Sequence, residues 1–212
     1  MTDIKYIKIV LGELGTNCYL VWEERFNKAL VIDPADDGVG ISEEIQARGL
    51  DLVGILATHG HFDHVMGALD LKLIYQSPFY CSQKDLFLLQ RQQKTASHFL
   101  GRRIEVPNFS KIDIDLEMVD KISIGDISVE VIKTPGHTPG GICFYIKEAG
   151  LLFGGDTIFA HSRGRTDLSY SSTKDIYQSI KAIMKLPEET IILPGHGEET
   201  TVGREKDFYL KD

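Results

Sequence analysis

The chain has 212 residues, 42% of them hydrophobic, enough to bury one sizeable core and to fold as one domain over residues 1–212. Its formal net charge is −8 and its basic residues are scattered, a field that repels phosphate backbones and anionic lipid heads, so neither nucleic acid nor a membrane surface is an expected partner. Cys18, Cys81 and Cys143 are too few and too far apart for a disulfide framework and suit a reducing cytoplasm; the first ten residues lack the blocks of an export signal, and no apolar run approaches the roughly 20 residues that span a bilayer.

Residues 4–11 alternate apolar and polar side chains, and residues 18–22 and 29–32 are short strand-like runs, the second closed by Asp33-Pro34. Ser42 is the expected cap of a short amphipathic helix with Ile41, Ile45 and Leu50 facing inward and Gly49 as its stop signal; the apolar run 52–57 then completes a β-α-β step. A longer helix is predicted from Ser82, where Asp85 completes a capping-box pattern and Leu86, Leu89 and Phe99 keep an apolar stripe, before an irregular stretch around Pro107. Strands are predicted at 127–132, 142–146 and 151–153, then a helix at 173–186 and a strand at 190–193. Two halves, each strand-rich and then helical, predict an α+β fold: two packed sheets flanked by helices, a four-layer αββα sandwich.

The chemistry gathers just after these strands. Thr58-His59-Gly60-His61-Phe62-Asp63-His64 follows the run 52–57. Alternate residues of an extended chain share a face, so His59 and His61 suit one ion, while Asp63 and His64 turn toward a second position. His137 in Pro135-Gly136-His137, Asp156 in Gly154-Gly155-Asp156 and His196 in Gly195-His196-Gly197 each follow a strand-like run, and the adjacent glycines let the backbone bend toward a shared centre. A lone histidine is more often structural; five histidines and two aspartates at strand ends are a different matter. His98, near a helix end, suits the surface, and His161 and Arg163 flank the site without an assigned role.

His-x-His-x-Asp-His, a distant His, a Gly-Asp and a Gly-His together resemble the metallo-β-lactamase superfamily over nearly the whole chain. The resemblance implies His59, His61 and His137 on a first metal, Asp63, His64 and His196 on a second, and Asp156 bridging them. Asp33 matches the early aspartate that supports the metal loop from outside; a plain turn aspartate is the other reading. The implied cofactor is two divalent ions, zinc foremost, with iron or manganese compatible. The implied mechanism is attack of a metal-bridging hydroxide on a carbonyl carbon, with Asp63 and Asp156 as the catalytic carboxylates.

Finer likeness, in Gly154-Gly155-Asp156-Thr157-Ile158-Phe159, Gly164-Arg165-Thr166-Asp167-Leu168, Gly15-Thr16-Asn17-Cys18-Tyr19 and Thr200-Thr201-Val202-Gly203-Arg204-Glu205, is to the short, single-domain glyoxalase II-like (hydroxyacylglutathione hydrolase-like) branch, whose members cleave thioesters. Arg165 matches the position where longer members set a basic residue against a glutathione carboxylate; its other reading is a salt bridge to Asp167. The chain departs from those longer members in ending at Asp212 without a helical C-terminal domain and in lacking an aromatic after His196. A small-molecule thioester is the expected substrate, and oligomeric state is not legible. The rivals are a mononuclear iron persulfide dioxygenase, a lactonase-type hydrolase and, from a different class, a non-catalytic metal-stabilised interaction module.

Overall fold

The computed structural model describes residues 4–209. β1 (Ile4–Leu11), β2 (Thr16–Glu23) and β3 (Lys28–Ile32) form an antiparallel meander. α1 (Gly38–Ala47) then crosses to β4 (Asp51–Leu56), parallel to β3, and β5 (Phe79–Cys81) and β6 (Ile114–Asp115) complete a six-stranded sheet in sequence order. Between β4 and β5 lie α2 (Phe62–Val65) and α3 (Ala68–Tyr75); α4 (Leu86–Leu89) and α5 (Gln92–Phe99) follow β5.

The second sheet takes β7 (Lys121–Ile124), β8 (Ile127–Lys133), β9 (Ile142–Ile146) and β10 (Leu151–Gly155). The hairpin of β11 (Ile158–Phe159) and β12 (Ser162–Arg163) and the helix α6 (Thr173–Ile183) then lead to β13 (Ile191–Pro194), which pairs parallel with β10. β14 (Thr200–Thr201) closes the edge, and α7 (Val202–Tyr209) packs beyond it.

Alternation along the strands builds the layers, because successive side chains of a strand point to opposite faces. Tyr19, Val21, Leu30, Ile32 and Leu56 meet Val129, Phe144 and Phe153 in a core between the sheets. Their neighbours Cys18, Leu20, Val31 and Ile55 face outward to Ile41, Ile45, Val65 and Leu71 of the helices. On the other sheet Cys143, Tyr145 and Leu152 turn outward to Ile176, Ile180 and Ile183 of α6. Both faces of each sheet are therefore buried, and the architecture is the α+β, four-layer αββα sandwich expected from the sequence.

Two helices differ from expectation. α1 begins five residues earlier than a cap at Ser42 would have it, because Asp37 adopts a left-handed backbone and its carboxylate accepts the Gly40 N–H at 3.0 Å. Ser42 is instead buried within the helix, its hydroxyl 2.9 Å from the Tyr75 hydroxyl. The helix predicted from Ser82 is broken into a single 3₁₀ turn, α4 and α5. Ser82 does cap the turn, accepting the Lys84 N–H, but Asp85 does not reach back to it: its carboxylate is turned into the site. No helix among the described residues is long and apolar enough to cross a membrane.

Candidate metal centre

The carboxyl ends of the parallel strands β3 and β4, and of β10 and β13, lie along one edge of the sandwich, and their loops supply the site. The structure brings His59, His61, Asp63, His64, His137, Asp156 and His196 into one cluster. His59 Nε2 and His137 Nε2 each lie 3.0 Å from His61 Nδ1. Beside them His64 Nε2, His196 Nε2 and Asp63 Oδ2 stand 3.3 to 3.6 Å apart. Asp156 spans both sets, with Oδ1 3.5 Å from His64 Nε2 and Oδ2 3.5 Å from His137 Nε2.

Hydrogen bonds behind the rings decide which nitrogens face inward. His137 Nδ1–H donates to the Arg165 carbonyl at 2.9 Å, which leaves Nε2 with its lone pair toward the cluster. Thr58 donates its hydroxyl proton to Asp33 Oδ2 at 2.8 Å and so accepts from His59 Nδ1–H at 3.0 Å. His64 Nδ1–H donates to the same carboxylate at 2.9 Å, and Thr58 N–H to its other oxygen at 2.7 Å. Asp33 thus grips His64 directly and His59 through Thr58. His61 is the exception in orientation, presenting Nδ1 inward while Nε2 meets the Tyr170 hydroxyl at 2.9 Å.

This arrangement fits metal ions. The inward nitrogens of His59 and His137 carry lone pairs, and hydrogen bonding among these rings cannot satisfy them all. A tetrahedral ion with bonds of about 2.0–2.1 Å sets its nitrogen ligands about 3.3 Å apart, close to the spacing found. Asp156 Oδ1 is buried and, among the described residues, has no hydrogen-bond donor.

The titration behaviour has the same origin. Burial and the neighbouring His137 pull His61 down to about 3, and burial with the His64 charge holds His59 well below the ordinary histidine value. Burial opposes charge on His64 too, but Asp156, Asp63 and Asp33 outweigh it and push the ring up to about 10. Burial likewise opposes charge on Asp63, yet His64 and His196 hold its carboxyl below the usual range. The carboxylate side of the cluster therefore draws positive charge to itself, and the histidine side offers neutral donors.

Two supports went unrecognised in the sequence. Asp85, fully buried, accepts from Gly60 N–H at 2.9 Å, Gly140 N–H at 2.8 Å and the Thr138 hydroxyl at 2.7 Å, tying the His59–His61 loop to the His137 loop. Its spacing from Ser82 suggests a cap, and its hydrogen bonds to the two loops show otherwise. Thr16 and Asn17, noticed only as part of a motif, hold the far side: Thr16 donates its hydroxyl to Asp63 Oδ2 at 3.2 Å, and Asn17 Nδ2 donates to the carbonyls of Pro194 and Gly197 on either side of His196.

The flanking glycines answer a steric need. A Cβ on Gly155, whose φ is +48°, would sit 2.3 Å from Thr58 Oγ1, and one on Gly195 would sit 2.4 Å from Asp156 Oδ1.

Other candidates stand apart. Arg165 lines the pocket, but its Nε and Nη2 donate to Asp167 at 2.7 and 2.6 Å. His98 is exposed against Phe99, and His161 points to solvent while its backbone N–H donates to the buried Glu205. Arg163 lies over the Tyr177 ring. Glu205 also accepts from Thr200, so the motif at 200–205 anchors a helix start and the His161 loop.

The family model described as the metallo-β-lactamase superfamily matches residues 11–196. Among curated relatives, the probable metallo-hydrolase YqgX of Bacillus subtilis is 35% identical, the match covering 96% of this chain and 95% of that protein. Hydroxyacylglutathione hydrolase GloC of Haemophilus influenzae is 33% identical over 90% of this chain and 89% of its own. Among solved structures, the BLEG-1 B3 metallo-β-lactamase superposes with a TM-score of 0.88 at 32% identity, covering 96% of this chain and 97% of that one. TTHA1623 in a di-iron-bound form gives 0.82 at 34%, covering 94% and 96%. The family model spans most of the chain and two curated relatives are at least 33% identical across nearly their full length, so the chain belongs to the metallo-β-lactamase superfamily.

Proposed function

We propose that the protein is a dinuclear metallohydrolase that cleaves a thioester, as a single metallo-β-lactamase-like domain of the glyoxalase II-like branch working in a reducing compartment. The observation that carries it is the paired donor set: His59, His61 and His137 to hold one ion, Asp63, His64 and His196 to hold another, and Asp156 between them. Two ions held there would supply a water of lowered pKa and positive charge for an oxyanion and a departing sulfur, for which zinc has high affinity.

The chain's own residues do the rest. Asp33 and Thr58 hold Nδ1 of His64 and of His59 from behind, so that Nε2 of both rings faces the cluster, where a metal ion would take the place of any proton on it. Asp63, kept ionised by His64 and His196 and oriented by the Thr16 hydroxyl, accepts a hydrogen bond from the attacking water and aims it. Tyr170, on the pocket wall, stands 2.9 Å from His61 Nε2 and sets that ring's rotation. The likeness to GloC supports the thioester. Buried free thiols at Cys18, Cys81 and Cys143 support the reducing compartment.

The likeness to a di-iron structure favours iron as a second choice of metal. The test is metal content per chain on protein purified without added metal, together with hydrolysis of lactoyl-glutathione and of a β-lactam and oxygen uptake on a persulfide. Two ions with thioester cleavage support the proposal; one iron with oxygen uptake on a persulfide, or β-lactam turnover alone, overturns it.

A further inference from the structure

We propose that the acyl group accepted by this site is uncharged and apolar, an inference that rests on the thioester hydrolysis proposed above. A pocket of about 250 Å³ opens directly on the cluster, and its outer wall is formed by Leu14, Phe62, Phe99, Leu168 and Tyr170. Leu14 and Phe99 are large apolar side chains left 46% and 51% open to water, one from the β1–β2 turn and one from the end of α5. They are held in place: the Phe99 ring stacks on buried Phe62 with centroids 6.1 Å apart, and Phe87 sets its edge against Tyr170 at 5.3 Å. Exposed apolar side chains converging from separate segments beside a reactive cluster are what an apolar ligand fragment covers.

The charges point the same way. Arg165 is the one Lys or Arg lining this pocket among the described residues, and two of its nitrogens are committed to Asp167. The pair is neutral overall, so a carboxylate at the far end of an acyl chain would meet a cation whose charge Asp167 already offsets. Since the carbonyl carbon must lie at the cluster, the acyl tail runs along the apolar wall, and the polar carrier thiol faces solvent. In the reaction water oxygen bonds to the acyl carbon and the carbon–sulfur bond breaks with its electron pair on sulfur. A carboxylate, a thiol and one released proton result.

The experiment measures kcat/KM of the metal-loaded protein on thioesters of one small thiol, N-acetylcysteamine, bearing acetyl, butyryl, hexanoyl or succinyl groups. The expected result is a rise of about two- to fourfold per methylene from acetyl to hexanoyl, the upper figure matching full burial of each methylene. Succinyl should fall at least about tenfold below butyryl, since its charge meets an apolar wall and a cation already offset by Asp167. Phe99→Ser should lower the hexanoyl-to-acetyl ratio, and Asp167→Asn, which frees Arg165, should raise the succinyl-to-butyryl ratio. Thioester cleavage with no rise along the series, or with succinyl preferred, overturns this inference and leaves the hydrolase proposal standing. No cleavage of any of the four, nor of lactoyl-glutathione, overturns both.

Discussion

The carboxylate of Asp85 accepts the backbone N–H of Gly60, the residue between His59 and His61, from a position 25 residues further along the chain. The same group holds Gly140 and Thr138 beside His137, so one buried side chain sets the spacing of three rings. Asp85→Asn replaces one acceptor oxygen with a donor facing backbone N–H groups. We expect affinity for the first ion to fall about 10–100-fold with the circular dichroism unchanged. Metal titration against a competing chelator measures it, and unaltered affinity would contradict the bracing role.

Asp63→Ala and His196→Ala each remove one donor from the second set. Turnover should drop by about 10³-fold or more in both, with one ion retained per chain and the fold intact. Near-normal turnover in both variants would end the two-ion proposal.

Gly155→Ala places a methyl against Thr58 Oγ1 in a left-handed backbone. The expected loss is about 2 kcal/mol or more, since a close clash and an unfavourable φ act together, and the strain falls on the Asp33–Thr58–His59 chain. Calorimetry should show a melting temperature lower by about 4 °C or more; an unchanged value would show that the loop yields freely.

Cys18, Cys81 and Cys143 are buried, and burial raises all three thiols, Cys143 to about 11. A native sample at pH 8 should not react with a thiol reagent, whereas unfolded protein should titrate three groups. Because the folded values exceed the unfolded one near 9, stability from the neutral thiols is complete below pH 9 and falls as pH rises past it. Denaturant midpoints at pH 8 and pH 10 give the sign, and a higher midpoint at pH 10 would refute it.

The strands and the donor set were legible because their signals are local. Runs such as 142–146 match the observed β9, and a strand ending in Gly-Asp or Gly-His announces a loop aimed at something. Asp85 was not legible: Ser82-x-x-Asp85 satisfies a capping pattern by spacing alone, and its true partners, Gly60 and Gly140, lie 25 and 55 residues away. Asp37 was missed for a related reason, since a left-handed cap leaves no periodic trace. Arg165 and Asp167, two residues apart, left both readings open in the sequence, and only their geometry shows the pairing.

Asn17 and Tyr19 belong to the first sheet, yet both donate to the Pro194 carbonyl in the second, just ahead of His196. Neither half of the chain owns a finished centre: His59, His61, Asp63 and His64 arrive from one, His137, Asp156 and His196 from the other. Ions held across that seam, as proposed above, would act as rivets between the halves. By mass action their binding energy would add to the docking of the two sheets, so stripping them should loosen the molecule first along the joint, where hydrogen exchange at residues 16–19 and 194–197 would register it.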